Sequence, residues 1–418
     1  DTSCVVCVIS LCCQPTKLTT WRLLSNSQHC KGSASDGDIA AAFYGRSVAA
    51  APQHSDDEAD DDEPKLIQVD LVKLNLAERQ FYSLSELRAA DSGRIVGPKA
   101  AKLGELKRHY PQAVAEGLAI PFGIFKDILD QSFEGGTSTI FLWMQAQYER
   151  IAALPEGSVE RRQETAAFRA KLQATIREAD PGNEFRQRLR TKLIQTFGPD
   201  NTFGVFVRSD TNVEDLPGFT GAGLNLTVAN VVGIDNILAA ISQVWASPFS
   251  ARSFAWRQTL MDKPEHVYPA VLLMLSVDAD KSGVLVTQDI ETGNPSWISV
   301  AINEGIGGAV DGQSAESLRI DTASGTTRLM AASTAAVRRQ VDVTGGIKKL
   351  PVTTSDRVLS APEIKQLIVL AKQLPNRFPA ILDAAGKSAP ADIEFGFLDG
   401  ELRLFQIRPF LDSYNARN

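Results

Sequence analysis

Residues Phe206–Asn225 read FVRSDTNVEDLPGFTGAGLN. The apolar run Val205, Phe206 and Val207 suits a buried strand, and it ends in Arg208. Three acids follow, Asp210, Glu214 and Asp215, and then Pro217, Gly218, Gly221 and Gly223. Glycines let a backbone approach a ligand closely and turn its N–H groups toward an anion, while a guanidinium offers a planar fork of donors matched to phosphate oxygens. A strand emptying into such a loop is suited to gripping phosphate. A surface turn with a solvated arginine has the same local composition, so the stretch alone leaves both readings open.

Other stretches narrow the choice. In VGPKAAKLGEL (Val96–Leu106) the apolar spacing predicts a helix that opens directly after Gly97-Pro98. Lys99 then stands at a helix N-terminus, where anions are favoured. Between Asp130 and Phe197 the chain is rich in Ala, Gln, Arg, Glu and Leu, with breaks at Pro155-Glu156-Gly157 and Pro181-Gly182, which predicts three helices. Ala270–Val277, Val284–Gln288 and Ile298–Asn303 are β-branched runs separated by turns and read as sheet. Asp392–Phe397 and Glu401–Ile407 flank Leu398-Asp399-Gly400 and read as a hairpin. With those three residues as the loop, Phe397 faces Glu401 and Glu394 faces Leu404, and alternation puts Glu394, Gln406 and Arg408 on one side of the sheet. Mg²⁺ prefers hard oxygen ligands and takes only one or two protein groups when phosphates fill the remaining positions. Glu394 and Gln406 suit that role, and Arg408 suits charge neutralisation on a transferred phosphoryl group. A surface hairpin with a cross-strand Glu–Arg pair is the plainer alternative.

Five ordered motifs resemble the nucleotide-binding domain of the phosphoenolpyruvate synthase and pyruvate phosphate dikinase family, which is shared with glucan, water dikinase and rifampicin phosphotransferase. They are VGPKAAKLGEL, the Arg208 stretch, VWASPFSARSFAWR (Val244–Arg257), KSGVLVTQDIETG (Lys281–Gly293) and DIEFGFLDGELRLFQIRP (Asp392–Pro409). The likeness runs from about Phe81 to Phe410. It implies an α+β, ATP-grasp-like fold of two lobes closing over a nucleotide, with ATP and Mg²⁺ as cofactors. Residues 65–235 would form the small lobe with inserted helices, and residues 236–418 the large lobe with the metal- and phosphate-binding hairpin. Lys99, Arg208, Gly221, Gly223, Glu394, Gln406 and Arg408 would bind the nucleotide. Glu394 and Gln406 would hold the metal, and Arg208 and Arg408 would act in catalysis. The implied activity is phosphoryl transfer from ATP to an acceptor the residues do not name; a nucleotide-binding module without chemistry, acting with a partner, is the alternative. Two departures stand out: Leu272 replaces a glutamine of the family, and Gly308 a glutamate. None of His29, His54, His109 and His266 sits in a Gly-Gly-x-x-Ser/Thr-His-Ala setting, so the acceptor is expected to enter the cleft directly or to come from a partner or further segment.

Composition agrees with a nucleotide enzyme. The 418 residues carry a net charge of −7, and seven acids (Asp56, Asp57, Glu58, Asp60, Asp61, Asp62, Glu63) lie in one run. Without that run 43 acidic residues face 43 basic ones, which argues against a nucleic-acid surface. No apolar run approaches the roughly 20 residues needed to cross a bilayer, so a soluble, cytoplasmic protein is expected. Residues 1–64 hold all five cysteines and the acidic run, and read as a disordered leader and linker. Their Cys-x-x-Cys has no second pair at zinc-finger spacing.

Overall fold

Val205 and Val207 are fully buried, and the strand that carries them lies inside an antiparallel sheet. The computed structural model describes residues 66–214, 226–307, 315–353, 357–382 and 386–410. The expected leader, Gly221, Gly223 and Gly308 lie outside the described residues. The first sheet comprises β1 (Tyr82–Ser83), β2 (Gly117–Ile120), β3 (Gly204–Thr211), β4 (Thr227–Val232) and β5 (Pro269–Leu275), in the order β1-β2-β5-β3-β4. β2 and nearly all of β5 are buried, hence their unbroken apolar runs GLAI and PAVLLM. The central place of β5 carries this sheet to Leu275, past residue 235, where the sequence reading divides the chain.

Gly97 and Pro98 open α1 (Pro98–His109), with proline in the first turn, where its missing N–H costs no helical bond. α2 (Phe122–Leu129) follows. Next come the three helices expected between residues 130 and 197, α3 (Ile140–Ala152), α4 (Val159–Glu178) and α5 (Asn183–Phe197). The two predicted Pro/Gly breaks fall between them. α6 (Ile234–Ala246) packs on β3, β4 and β5, and α7 (Ala251–Leu260) continues from it through a short turn.

The second sheet contains β6 (Lys281–Val286), β7 (Trp297–Glu304), β8 (Glu316–Asp321) and β9 (Thr327–Ala331). A separate hairpin, β10 (Val337–Val341) and β11 (Ile347–Pro351), and α8 (Ala361–Arg377) precede the closing strands β12 (Ala391–Leu398) and β13 (Glu401–Pro409). The six strands run β13-β12-β6-β7-β8-β9, all neighbours antiparallel. Register assigns the two faces. Ile407, Ile393, Leu285, Val300 and Leu318 align across one face, and all five belong to the apolar core that also takes in Leu367, Leu370 and Leu374 of α8. Arg408, Asp392, Val286, Ser299 and Arg319 align across the other. One face is therefore spent on folding and the other is left for polar chemistry. α1 packs on both β3 and β13, which brings this polar face up to the first sheet.

The hairpin corrects the expected register. Leu398 pairs with Glu401, so the loop is two residues, Asp399-Gly400, with φ of 55° and 77°, the type I′ pattern in which both central residues are left-handed. That change alone would set Glu394 opposite Phe405 and turn it away from Gln406. A bulge at Phe405 restores the parity, and Glu394 pairs directly with Gln406. Two errors of one residue cancel, and Glu394, Gln406 and Arg408 do share a face.

Candidate functional site

Arg208 is the residue through which the two sheets meet. Its side chain leaves β3 and donates to the carbonyl oxygen of Phe405 at 2.9 Å and to Gln406 Oε1 at 2.6 Å. Glu394 Oε2 lies 3.7 Å from the same guanidinium. The bulge that aims Gln406 also turns the Phe405 carbonyl toward Arg208, so one irregularity in β13 serves both contacts. Arg208, Glu394 and Gln406, far apart in sequence, thus form one cluster. Gln406 is buried and Glu394 is partly open to solvent.

Arg408 lies next along the same face. Its Nε donates to Asp392 Oδ2 at 2.8 Å, and both side chains are close to 10% exposed. Asp392 stands directly opposite Arg408 in the register. Asp392 is not among the expected site residues, although its spacing of two from Glu394 places it on the site face.

Lys99 sits at the N-terminus of α1, as expected, but the acceptors around it are supplied by the protein. Its Nζ donates to the carbonyl oxygen of Ser209 at 2.9 Å and forms an ion pair with Glu214. The backbone N–H groups of Lys99 and Ala100 donate to the two carboxylate oxygens of Asp210 at 2.8 and 3.0 Å. Asp210 therefore satisfies two of the orphan donors that every helix N-terminus presents. It is wholly buried. Burial is the largest influence on its carboxyl and raises it; Lys99 pulls it down, Glu214 pushes it up and the two N–H groups pull it down. The balance stands at about 7, far above the ordinary aspartate value. Asp210 also explains Gly97, because a Cβ there would lie 2.3 Å from Asp210 Oδ1 and 2.6 Å from its backbone carbonyl carbon.

Asn212 fixes the end of this segment. Its Nδ2 donates to the His266 carbonyl at 3.1 Å and its Oδ1 accepts from the Tyr268 N–H at 2.7 Å, tying the chain after β3 to the turn before β5. Asp210, Asn212 and Glu214 lie within the stretch Phe206–Asn225, but none of them is an expected site residue. Their partners on α1 and before β5 are contacts that local pattern does not reveal. Leu272, pointed out as a departure, is completely buried within β5.

The donor set can be tested against a divalent cation. Glu394 supplies a carboxylate and Gln406 an amide oxygen, both hard ligands on adjacent strands of one face. Arg208 occupies one lone-pair direction of Gln406 Oε1, and a carbonyl-type oxygen has a second. No group of three or more His, Cys, Asp or Glu residues arranged for metal binding occurs among the described residues.

Comparison with known proteins places the chain in a family. The family described as pyruvate phosphate dikinase, AMP/ATP-binding domain, matches residues 93–417. The chain belongs to that family. Within it, the chain is 25% identical over 340 residues to a rifampicin phosphotransferase of Streptomyces sviceus, covering 80% of this chain and 36% of that protein. It is 27% identical over 250 residues to a probable phosphoenolpyruvate synthase of Methanothermobacter thermautotrophicus, covering 57% and 35% of the two chains. A rifampicin phosphotransferase of Bacillus subtilis is 26% identical over 320 residues. The chain thus spans about a third of the length of these curated relatives. No helix among the described residues is long and apolar enough to cross a membrane.

Proposed function

We propose that this chain is the ATP-binding, phosphoryl-donating part of an ATP-dependent phosphotransferase of the phosphoenolpyruvate synthase and pyruvate phosphate dikinase type. The observation that carries the reading is the junction at Arg208, where a guanidinium from one sheet meets the Glu394–Gln406 pair on the polar face of the other. Membership of a family described by its AMP/ATP-binding domain supports it. So do relatives named as phosphotransferases and synthases.

In this reading the nucleotide lies between the two sheets in an ATP-grasp arrangement. The first sheet with α1 forms one lobe, and the hairpin sheet forms the other. Lys99 and Arg208 hold phosphate oxygens from the first lobe. Glu394 and Gln406 hold Mg²⁺ from the second. Arg408, kept in place by Asp392, neutralises charge on the departing phosphoryl group. Gly221 and Gly223, the other proposed nucleotide contacts, lie outside the described residues. Glu394 and Gln406 would hold the metal, which would supply positive charge to offset that of the phosphates. Phosphoryl transfer asks little covalent work of a protein, so positioned cations supply most of the effect.

The acceptor is a small molecule in the cleft or a histidine on another segment or partner. Acidic and basic residues balance outside residues 56–63, which argues against a nucleic-acid partner, and the reading takes a cytoplasmic setting. Incubation with ATP labelled on the β and γ phosphates, followed by product analysis, tests the reading. A labelled acceptor or a steady ATP–product exchange supports it. Mg·ATP binding with no turnover under any acceptor or partner would leave a nucleotide-binding module.

A further inference from the structure

Two carboxylates and one ammonium share the enclosed space at the start of α1. Asp210 is wholly buried, Glu214 has 6% of its surface exposed, and the Lys99 side chain is one-fifth exposed and pairs with Glu214. The charged groups acting on Asp210 are Lys99 from α1 and Glu214 from the segment after β3. On β5 its neighbour is the uncharged Ala270. The ammonium and the two N–H groups of α1 offset the burial of the Asp210 carboxylate. A phosphate that takes Lys99 for itself draws away that compensation, and it adds negative charge beside two groups that cannot reach water easily.

From this geometry we infer that Asp210 is a positioning residue that takes up a proton when a nucleotide phosphate claims Lys99. The proton comes from solvent and rests on Asp210, and no covalent bond changes. Asp210 protonated at one oxygen still accepts a backbone N–H of α1 through the other, so the helix start and the Lys99 stem keep their place. The Asp210 carboxyl, pushed up to about 7 by burial, takes the proton in the neutral range. A structural cap alone would bind the helix equally at every pH and take up nothing. The inference rests on the proposed nucleotide site and adds a residue and a proton to it.

Calorimetric titration of the protein with Mg·ATP at pH 7.5, repeated in buffers of different ionisation enthalpy, counts protons directly. The expected result is net uptake approaching one proton, with affinity falling by up to about tenfold for each unit of rising pH above 7. Asp210→Asn should still bind Mg·ATP but with proton uptake abolished and a flat pH profile. Binding by the wild type with no uptake, or undiminished uptake in Asp210→Asn, overturns the inference while leaving the nucleotide site standing.

A second measurement needs no nucleotide. Lys99→Met removes the ammonium permanently, so the pH at which the loss of thermal stability levels off should move upward by about a unit or more relative to wild type. If wild type fails to bind Mg·ATP, the functional reading fails and the inference falls with it. A wild type that binds Mg·ATP beside a Lys99→Met variant whose levelling-off pH is unmoved overturns the inference alone.

Discussion

Arg208→Lys separates the two tasks assigned to this guanidinium. In the structure its fork spans two acceptors on β13, the Phe405 carbonyl and Gln406 Oε1, and the side chain is only 11% exposed. A hydrogen bond from a charged donor is worth about 1.5–3 kcal/mol, and a lysine ammonium on a flexible stem can keep one of the two. The substitution should therefore cost about 1.5–3 kcal/mol of folding stability, because the bond joins the two sheets. The family resemblance alone, which treats Arg208 as a phosphate ligand, would leave stability unchanged. If Arg208 also serves the transferred phosphoryl group, the barrier rises by a further ~2–4 kcal/mol, about thirty- to several-hundred-fold in rate, with a smaller loss of ATP affinity. Urea unfolding reads the first effect. ATP turnover or exchange, measured well below the variant's unfolding transition, reads the second, and calorimetry gives the affinity. Wild-type stability in the variant would refute the bridge between the sheets; an unaltered rate in an active protein would refute the catalytic role.

Glu394→Ala should remove the Mg²⁺-dependent part of ATP binding, since it deletes the carboxylate of the proposed ligand pair; titrations with and without Mg²⁺ check this, and unchanged metal dependence removes Glu394 from the site. Gly97→Ala should lower stability by about 1–3 kcal/mol or more through overpacking, and truncating Asp210 to Ser should not restore it, because part of the collision is with the Asp210 backbone at 2.6 Å. Thermal melts of the single and double variants decide that point. Asp210 is raised above its unfolded value, so its contribution to stability is complete below about pH 4 and is lost as pH rises through about 7. Wild type should thus lose melting temperature between about pH 4 and 7 more steeply than Asp210→Asn, and parallel curves would show that Asp210 does not titrate there.

The sequence made the elements legible where a local signal was strong. Gly97-Pro98 set the start of α1, the two Pro/Gly breaks separated α3, α4 and α5, and Asp399-Gly400 announced the hairpin. What escaped were relations across distance. A two-residue loop and a bulge are each one residue in size, and each reverses every facing assignment beyond it. The site face was reached correctly only because the two cancel. β5 reads as a strand from its apolar run, yet nothing in the run says it pairs with β2 and β3 rather than with β6. Asp210 is separated by 111 positions from Lys99, and only the fold shows that its carboxylate closes a helix end.

The three cations assigned to the site all have protein acceptors: Arg208 holds Gln406, Lys99 holds Glu214, and Arg408 holds Asp392. These partners have two physical uses. A buried or half-buried cation left unpaired would be costly, so the acceptors keep the site folded before any ligand arrives. They also hold the side chains in nearly fixed rotamers, which lowers the ordering cost when a phosphate binds. The consequence is that nucleotide affinity is a difference between two sets of charge-assisted contacts rather than the sum of new ones. Gln406 is a neutral amide and gives up little when Arg208 turns to an anion. Glu214 is a carboxylate and gives up more, which is why the Lys99 end, rather than the Arg208 end, is where binding must be coupled to a proton.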